Sequence, residues 1–197
     1  METLTAICLG LGLAAACGLR VFLPLAIMSI GAKAGLFTPA TGFEWVATWP
    51  AVFALSTACA LEVIAYSVHW IDHALDTIAT PAAIVAGALA VATQLCATDS
   101  ATLSPLITWA TSIIVGGGAA AFVQTATVGV RSASTITTAG IANPIISWIQ
   151  TAIAAVLSIV AVVLPILAAI CILGVAILAV QLVLRWHRSR SALAVPA

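Results

Sequence analysis

A lone arginine stands in the first hydrophobic run of the chain, within the stretch CGLRVFLP at residues 17–24. Arg20 is the only charged residue between Leu4 and Ile30. A guanidinium at membrane depth is costly and needs a partner. Its planar N–H donors suit a carboxylate or a phosphate group. The alternatives are a structural salt bridge with an intramembrane acid, or snorkelling to the interface.

A second polar cluster spans residues 62–81 and holds three of the six acids and two of the three histidines. If these residues form one helix, their polar side chains share an arc of about 120°. The set is Glu62, Tyr66, His69, Asp72, His73, Asp76 and Thr80. Such a stripe indicates a helix that lines a polar path, and we expect Glu62, the deepest acid, to face Arg20.

The later members of this stripe permit two kinds of chemistry. His69, Asp72, His73 and Asp76 have spacings that let imidazoles and a carboxylate bind one metal ion. The same groups, with Glu62, could instead relay protons near neutral pH. A third reading is a polar helix end with ordinary ion pairs. Since the chain has no further ligand cluster, we predict no metal and no cofactor, and we assign these residues to coupling.

The third polar stretch is RSASTITTAGIANP, residues 131–144, where an arginine precedes five hydroxyl side chains and Asn143-Pro144. We predict a non-helical segment that lies against protein or water. Its hydroxyl and backbone N–H groups would form an anion cradle. The predicted substrate ligands are Arg20, Arg131, Glu62, Ser132, Ser134, Thr135 and Asn143. The alternative is an ordinary cytoplasmic loop in which Asn143 caps the next helix.

The composition is that of an integral membrane protein. Of 197 residues, 63% are hydrophobic and 6% charged, and the mean hydropathy is +1.26. The net charge is zero, so we expect no nucleic-acid partner. The five cysteines have no C-x-x-C spacing and are interpreted as small buried hydrophobes. No hydrolase, zinc-protease or phosphate-loop motif appears, so we predict that the chain is not an enzyme.

Six hydrophobic runs predict about six spans in one all-α membrane domain, residues 1–197. They are Leu4–Ala32, Trp49–Val68, Pro81–Ala97, Leu103–Val130, Ile141–Leu164 and Pro165–Trp186. The first run, at roughly 40 Å, is too long for a straight span. Gly18 and Pro24 bracket its middle and predict a break. The triple glycine at 116–118 predicts close helix contact or another break.

The halves of the chain share a small-residue stretch followed by Gly-x-Arg, at Arg20 and at Arg131. This similarity predicts two inverted three-span repeats, residues 1–100 and 101–190, with broken or re-entrant helices near the two arginines. Residues 191–197 would be a disordered cytoplasmic tail.

Charge near the C-terminus predicts the orientation. Arg185, Arg188 and Arg190 beside Trp186 indicate a cytoplasmic end. Six spans then place the N-terminus in the cytoplasm too. Residues 38–44 and the Asp99-Ser100 turn would face outward, and residues 69–80 and the segment after Arg131 inward. The expected location is the cell inner membrane, and Gly31-x-x-x-Gly35 or the 116–121 run would permit a homodimer.

The order GLR-x-x-x-P, then E…DHALD, then GGGAAA…R…GIANPIIS resembles a bacterial family of small integral membrane proteins classed as a domain of unknown function. The similarity covers nearly the whole chain, and its most specific element is Ala142 to Ser147. In that family an acidic pair follows this element, and another acid follows the first glutamate. Gln150, Thr151 and Tyr66 stand at those places here, which puts a mechanism based on those acids in question.

The segment GLRVFLPL alone is similar to the Arg-x-x-x-Pro segment of the DedA family, whose members are implicated in moving polyprenyl phosphate and other lipids. With the residues above, this favours a transporter of an anionic substrate, a lipid phosphate ahead of a small organic anion, with proton coupling as an option. One alternative is a membrane scaffold or assembly partner that transports nothing. Another is an intramembrane enzyme that uses a metal at the His/Asp stripe.

Overall fold

The chain folds into a bundle of helices. The computed structural model describes residues 2–66, 69–95, 104–138 and 140–174 with positions 177 and 181, and gives the backbone alone at residues 2–3 and 69–77. The helices are α1 Glu2–Cys17, α2 Phe22–Lys33, α3 Trp49–Ala65, α4 His69–Leu95, α5 Pro105–Ser112, α6 Gly118–Thr138, α7 Asn143–Val163 and α8 Pro165–Gly174. A 3-10 turn, Glu44–Ala47, precedes α3, and a π-helical turn, Ile113–Gly117, joins α5 to α6.

Three stretches are long and apolar enough to cross a membrane: Ile78–Leu95, Pro105–Thr138 and Asn143–Val163. Leu4–Cys17, Phe22–Lys33, Trp49–Ala65 and Pro165–Gly174 are shorter apolar helices. Leu106, Ile136, Ile141 and many other large apolar side chains are exposed on the outside of the bundle. A soluble protein does not present such a surface, whereas lipid covers it without cost. The prediction of an all-helical membrane protein is therefore confirmed.

The break predicted in the first hydrophobic run is present, and the chain reverses there. A Cβ built on Gly12 of α1 would lie 2.7 Å from the Ala161 Cβ, and one built on Gly31 of α2 would lie 2.9 Å from the Val162 Cγ1. Positions before and after the break thus reach the same level of α7. We conclude that α1 and α2 form a helical hairpin whose tip, residues 18–21, carries Arg20.

Two residues allow this tip to form. A Cβ on Gly18 would clash with the Ala120 carbonyl oxygen and would lie 2.6 Å from the Val123 Cβ, so only glycine fits against α6. Pro24 lies in the first turn of α2, where its missing N–H costs no helical hydrogen bond. Glycine for close approach and proline for helix initiation explain why a single hydrophobic run folds as two helices.

The hairpin changes the predicted relation between the N-terminus and residues 38–44. The Ala40 N–H donates to the Thr93 carbonyl at 2.9 Å, which places residues near Ala40 at the C-terminal end of α4. A Cβ on Gly10 would lie 3.2 Å from the Val91 Cα, so α1 begins at that same end. The start of α1 and the segment 38–44 therefore share one end of the bundle, whereas six straight spans would place them on opposite faces.

The predicted inversion of the two halves is also wrong for the helices that carry the arginines. Gly10 of α1 and Gly116 of the π-helical turn both lie against Val91. The guanidinium groups farther along both runs lie against Tyr66. The two runs therefore point in the same direction through the bundle. The physical reason is the hairpin, because a run that enters and returns does not change the face from which the next helix starts.

Residues 62–81 do not form the single helix assumed from their polar stripe, because α3 ends at Ala65 and α4 begins at His69. One helix from Trp49 to Leu95 would be about 70 Å long, more than twice the hydrocarbon thickness of a bilayer, about 30 Å. The chain must therefore turn near Tyr66. This turn leaves Glu62 on the last turn of α3.

The segment after Arg131 is helical to Thr138, which corrects the predicted non-helical cradle. Its hydroxyl groups donate hydrogen bonds to carbonyl groups of the same helix. Thr135 donates to the Arg131 carbonyl at 3.0 Å, and Thr137 donates to the Ala133 carbonyl at 2.9 Å. Such bonds to the preceding turn let Ser and Thr remain helical in an apolar setting. The break falls later, at residues 140–142, where Gly140 has a φ of +82°.

Small residues join α4 to the π-helical turn. A Cβ on Gly87 would lie 2.5 Å from the Gly116 carbonyl oxygen, and one on Gly116 would clash with the Gly87 carbonyl oxygen. This contact confirms the close approach predicted from the triple glycine. Gly31 likewise packs against Val162 inside the bundle, so its small-residue motif is used within one chain.

This contact predicts opposite effects for two neighbouring alanine substitutions. Gly116→Ala should destabilise the fold by about 1–3 kcal/mol, the usual cost of overpacking. Gly118→Ala should leave stability unchanged or raise it by up to about 1 kcal/mol through helix propensity, because a Cβ there meets nothing within 4 Å. Thermal unfolding of both variants in one detergent measures the difference. Equal melting temperatures would contradict the close approach.

Candidate anion site

The Arg20 side chain is buried, 2% exposed, and binds α7 through three hydrogen bonds. Its Nε donates to the Thr151 Oγ1 at 2.9 Å. Its Nη2 donates to the Ser147 carbonyl oxygen at 2.9 Å and also to the Ser147 Oγ. Hydrogen bonds from a charged donor are worth about 1.5–3 kcal/mol each. These bonds fix the tip of the hairpin and the direction of the guanidinium plane.

Tyr66 lies against both buried arginines. The Arg20 Cζ is 4.1 Å from the centroid of the Tyr66 ring, and the Arg131 Cζ is 4.5 Å from it. The two guanidinium carbons are therefore at most about 9 Å apart, the sum of the two distances. At an effective dielectric constant of about 20, two such charges repel by about 2 kcal/mol. The electron-rich ring face offsets part of this repulsion.

Arg131 is 3% exposed and projects from a buried polar stripe of α6. Its Nε donates to the Gln150 Oε1 of α7 at 3.0 Å. The stripe consists of Gln124, Thr127, Arg131 and Ser134, at helical spacing. Thr127 donates to the Gly18 carbonyl oxygen at 3.4 Å, which joins the stripe to the hairpin tip. The two arginines thus reach one place from separate helices, as the shared Gly-x-Arg pattern suggests.

Glu62 binds the N-terminus of α2. Its carboxylate accepts hydrogen bonds from the Val21 N–H at 2.8 Å and the Phe22 N–H at 3.0 Å. Val21 itself provides no side-chain cap, so Glu62 caps α2 from a neighbouring helix. A negative charge there also benefits from the helix dipole. Glu62 therefore lies close to Arg20, as the sequence predicts, because its carboxylate binds the backbone N–H of Val21, the residue that follows Arg20.

The structure places the predicted ligands of the 131–144 segment in different environments. Asn143 is 3% exposed and donates through its Nδ2 to the Thr135 Oγ1 at 3.0 Å. Among the described residues, its Oδ1 is buried with no hydrogen-bond partner. Ser134 is buried on the Arg131 stripe. Ser132 is exposed on the opposite side of α6, so its predicted role in a shared site is not supported by its position.

Asn143 does not cap α7, since Ala142 precedes the helix and Asn143 is its first residue. Its side chain instead ties the start of α7 to α6 through Thr135, whose own hydroxyl donates to the Arg131 carbonyl. This chain of hydrogen bonds connects the Asn-Pro element to the backbone of the second arginine. The element Ala142 to Ser147 is therefore connected to both arginines, to Arg131 through Thr135 and to Arg20 through Ser147.

Sequence reasoning did not assign Ser147, Gln150, Thr151 or Tyr66 to the site. A signal for three of them was present, because the polar residues of α7 recur mostly at helical spacing. They are Asn143, Ser147, Gln150, Thr151 and Ser158. Polar residues at this spacing on an otherwise apolar helix indicate a face turned to a polar partner. Tyr66 gave a weaker signal, as a member of the stripe that begins at Glu62.

The predicted coupling residues other than Glu62 are His69, Asp72, His73 and Asp76, and their side chains lie outside the described ones. They occupy the first two turns of α4. Among the side chains that the structure describes, no group of three or more histidine, cysteine or acidic residues could hold a metal ion. The predicted Asp99-Ser100 turn, the basic C-terminal cluster and the 191–197 tail likewise fall outside the described residues.

A cavity of about 390 Å³ opens beside the cluster, between the start of α2, the end of α3 and the middle of α4. Glu62 and Tyr66 are its two polar residues, but its surface is almost wholly apolar, and Val21, Phe22 and Ile78 are among its apolar residues. Its volume is within the range of small-ligand sites, about 300–1,000 Å³. A ligand in this cavity would lie against the aromatic ring that both guanidinium groups contact.

These observations define a class of protein before any comparison. The chain is an all-helical membrane protein with one buried arginine, Arg20, at the tip of a helical hairpin and a second, Arg131, on α6. A family model described as a domain of unknown function, DUF4126, matches residues 7–185, and the chain belongs to this family. No curated protein matches the chain, and neither does any solved structure.

Proposed function

We propose that this protein is a membrane transporter of an anionic substrate, with Arg20 and Arg131 as its anion ligands. A lipid phosphate is the first choice of substrate and a small organic anion the second. The observation that carries the proposal is the placement of two buried guanidinium groups against one tyrosine ring. The two groups bring planar N–H donors close together, and such donors bind phosphate and carboxylate alike in bidentate fashion.

The setting of the pair supports transport over simple binding. Re-entrant and broken helices at membrane depth are typical of transporter sites, where half-helix ends and unwound backbone meet the substrate. Arg20 occupies such a tip, and the carboxylate of Glu62 already binds the N-terminus of α2. In the proposed cycle Glu62 is the gating acid, and His69, Asp72, His73 and Asp76 provide the option of proton coupling.

The proposed location is the bacterial inner membrane, with the basic C-terminal residues Arg185, Arg188 and Arg190 in the cytoplasm. The Arg20 hairpin tip would then point toward the cytoplasmic side, and the start of α1 would lie outside. This orientation places the basic C-terminal residues in the cytoplasm, as the positive-inside rule requires. It places the N-terminus at the opposite end, because the hairpin reverses the chain.

The proposal predicts transport that depends on Arg131. Purified protein in phosphatidylcholine vesicles should move a fluorescent polyprenyl phosphate between leaflets, and not fluorescent phosphatidylcholine, as followed by dithionite quenching. Entry of radiolabelled malate tests the small-anion arm. Arg131→Gln should lower the rate about 100-fold, as loss of one preorganised donor does. Wild-type protein that moves none of these anions faster than empty vesicles do would contradict the proposal.

A second candidate function is a scaffold that transports nothing, and one observation favours it. Three hydrogen bonds from Arg20 tie the hairpin tip to Ser147 and Thr151 of α7, which is a structural use of the charge. In this case the arginines hold the bundle together, and their loss would unfold it. Measuring both transport and folding of Arg20→Gln separates the two functions.

A further inference from the structure

Two buried polar side chains on neighbouring helices lack hydrogen-bond partners at the end of the bundle where α4 ends. Gln94 of α4 is 2% exposed and Ser112 of α5 is 0% exposed. Among the residues that the structure describes, neither the Gln94 Nε2 nor the Ser112 Oγ has a hydrogen-bond partner. Buried amide and hydroxyl groups are nearly always hydrogen-bonded, either to protein or to ordered water. The two groups therefore indicate a ligand outside the polypeptide.

Both side chains lie one helical turn from the same junction of three helices. A Cβ on Gly10 of α1 would lie 3.2 Å from the Val91 Cα, and one on Gly116 of the π-helical turn would lie 2.7 Å from the Val91 Cγ2. Gln94 follows Val91 by three residues, and its Cβ would be 3.4 Å from a Cβ on Gly10. Ser112 precedes Gly116 by four residues. The side chain of Gln94 therefore leaves α4 toward α1, next to the helix that carries Ser112.

Contacts of α5 with the segment before α3 give the level of Ser112 independently. The Phe43 and Trp109 ring centroids are 6.0 Å apart. The Phe43 N–H donates to the Ala40 carbonyl and the Ala40 N–H donates to the Thr93 carbonyl, each at 2.9 Å. Trp109 of α5 therefore lies near Thr93, at the C-terminal end of α4. Ser112, less than one turn after Trp109, is at the level of the last turns of α4.

The Ser112 hydroxyl differs from other buried hydroxyls because it does not bind its own helix. Ser158 of α7 is also 0% exposed. Its Oγ donates to the Ala154 carbonyl at 2.6 Å, which is a common way to pair a serine within an apolar helix. Ser112 makes no such bond to the preceding turn, residues 108–111, all of which the structure describes. Its Oγ is thus available to a ligand at the junction.

Burial and charge restrict this ligand to a small, uncharged one. Exposed fractions of 2% or less leave no opening for a lipid head group or chain, and neither side chain carries a charge that would balance an ion. Water is the smallest ligand that both donates and accepts, and a buried water typically has about three polar partners. We infer that Gln94 and Ser112 bind one ordered water molecule at the junction of α1, α4 and α5.

This water site belongs to the buried face that also carries Arg131. The span Pro105–Thr138 has buried polar residues toward both of its ends: Thr108, Ser112, Gln124, Thr127, Arg131 and Ser134. Between these two groups the span packs closely against α4 through Gly116 and Gly87. The glycine contact therefore separates a hydrated polar site from the arginine pair. The inference does not depend on the proposed function, because neither arginine takes part in it.

Replacing Ser112 by alanine tests whether water binds there. With water bound, Ser112→Ala loses a hydrogen bond and should lower the melting temperature in detergent by about 2–4 °C. The matched control is Ser158→Ala, which loses the bond to the Ala154 carbonyl and should show a similar loss. A melting temperature that rises or stays unchanged in Ser112→Ala, while it falls in Ser158→Ala, would overturn the inference, because removal of an unpaired buried hydroxyl costs nothing.

A double-mutant cycle tests whether one water binds both groups. Gln94→Met keeps a side chain of similar length and removes the amide. Combined with Ser112→Ala, it should lower the melting temperature by about 2 °C less than the sum of the single losses, because the second substitution acts on a water that is already weakly held. Gln94→Met combined with Ser158→Ala should be additive. Additive losses in both pairs would mean that the two groups share no ligand, and the inference would be wrong.

Diffraction from wild-type crystals is a direct measurement that does not depend on how the variants fold. We expect a water peak at about 2.7–3.2 Å from both the Gln94 Nε2 and the Ser112 Oγ. A map that shows both side chains clearly and has no peak between them would contradict the inference. A peak with the anomalous signal of a heavier ion would contradict it as well.

Discussion

Replacing Arg20 by glutamine should abolish transport while the folded protein is retained. Glutamine keeps a donor for Ser147 or Thr151 of α7 but removes the positive charge. Loss of one preorganised charged donor costs about 100-fold or more in rate. Translocation of a fluorescent polyprenyl phosphate in vesicles gives the rate, and size-exclusion chromatography with thermal unfolding gives the folded fraction.

Two matched variants sharpen this result. Lys33→Gln removes a positive charge from the exposed far end of the same hairpin, and should leave the rate unchanged. Arg20→Lys keeps the charge and loses the planar donor set, so we expect an intermediate rate. If Arg20→Gln fails to fold while Lys33→Gln folds normally, the arginine is structural and the scaffold function is favoured.

Replacing Glu62 by leucine should destabilise the protein more than any other substitution at this site. Its carboxylate is the acceptor for the buried N–H group of Val21 and the partly buried N–H group of Phe22 at the start of α2. A buried donor without an acceptor costs about 1–3 kcal/mol, so two cost about 2–6 kcal/mol. Glu62→Gln keeps one acceptor oxygen and should lose less. Thermal or denaturant unfolding in one detergent ranks the three proteins.

Glu44 is the matched control for this prediction. Its carboxylate also accepts a backbone N–H, that of Gly42 at 2.9 Å, but it is fully exposed in a turn. Its own backbone N–H and that of Gly42 lower the pKa of the Glu44 carboxyl, so Glu44→Gln removes a charge at neutral pH. We expect a change within about 0.5 kcal/mol. A similar loss in Glu44→Gln and Glu62→Leu would show that burial of the cap is not what matters.

The sequence was sufficient to find the membrane class, the break at residues 18–21 and three of the buried polar residues, Arg20, Arg131 and Glu62. These features depend on local chemistry, because a charge in an apolar run and a Gly/Pro pair carry their own physical meaning. The structure brings the three side chains to one region, as the sequence predicts for Arg20 and Glu62. Their hydrogen-bond partners on α7 were visible as a polar stripe but were not assigned.

The direction of the helices could not be predicted in the same way. Hydropathy gives the length of the run from Leu4 to Ala32, but it does not tell a kinked span from a hairpin. That choice depends on contacts of Gly12 and Gly31 with α7, far away in sequence. One undetected reversal then changes two predictions: the position of the N-terminus relative to residues 38–44, and the relative direction of the two runs that carry the arginines. The serine and threonine residues after Arg131 led to the wrong prediction of a non-helical segment. Their hydroxyls can donate to carbonyl groups of the preceding helical turn, so they remain helical.

The central claim is that an anion binds between Arg20 and Arg131, and anomalous diffraction from crystals grown with selenate tests it most directly. Selenate is a tetrahedral dianion that presents phosphate-like oxygens to guanidinium groups. The account predicts an anomalous peak within hydrogen-bonding distance of both arginines, beside the Tyr66 ring, and no such peak in Arg131→Gln. Full selenate occupancy elsewhere on the protein, with no peak between the two guanidinium groups, would contradict it.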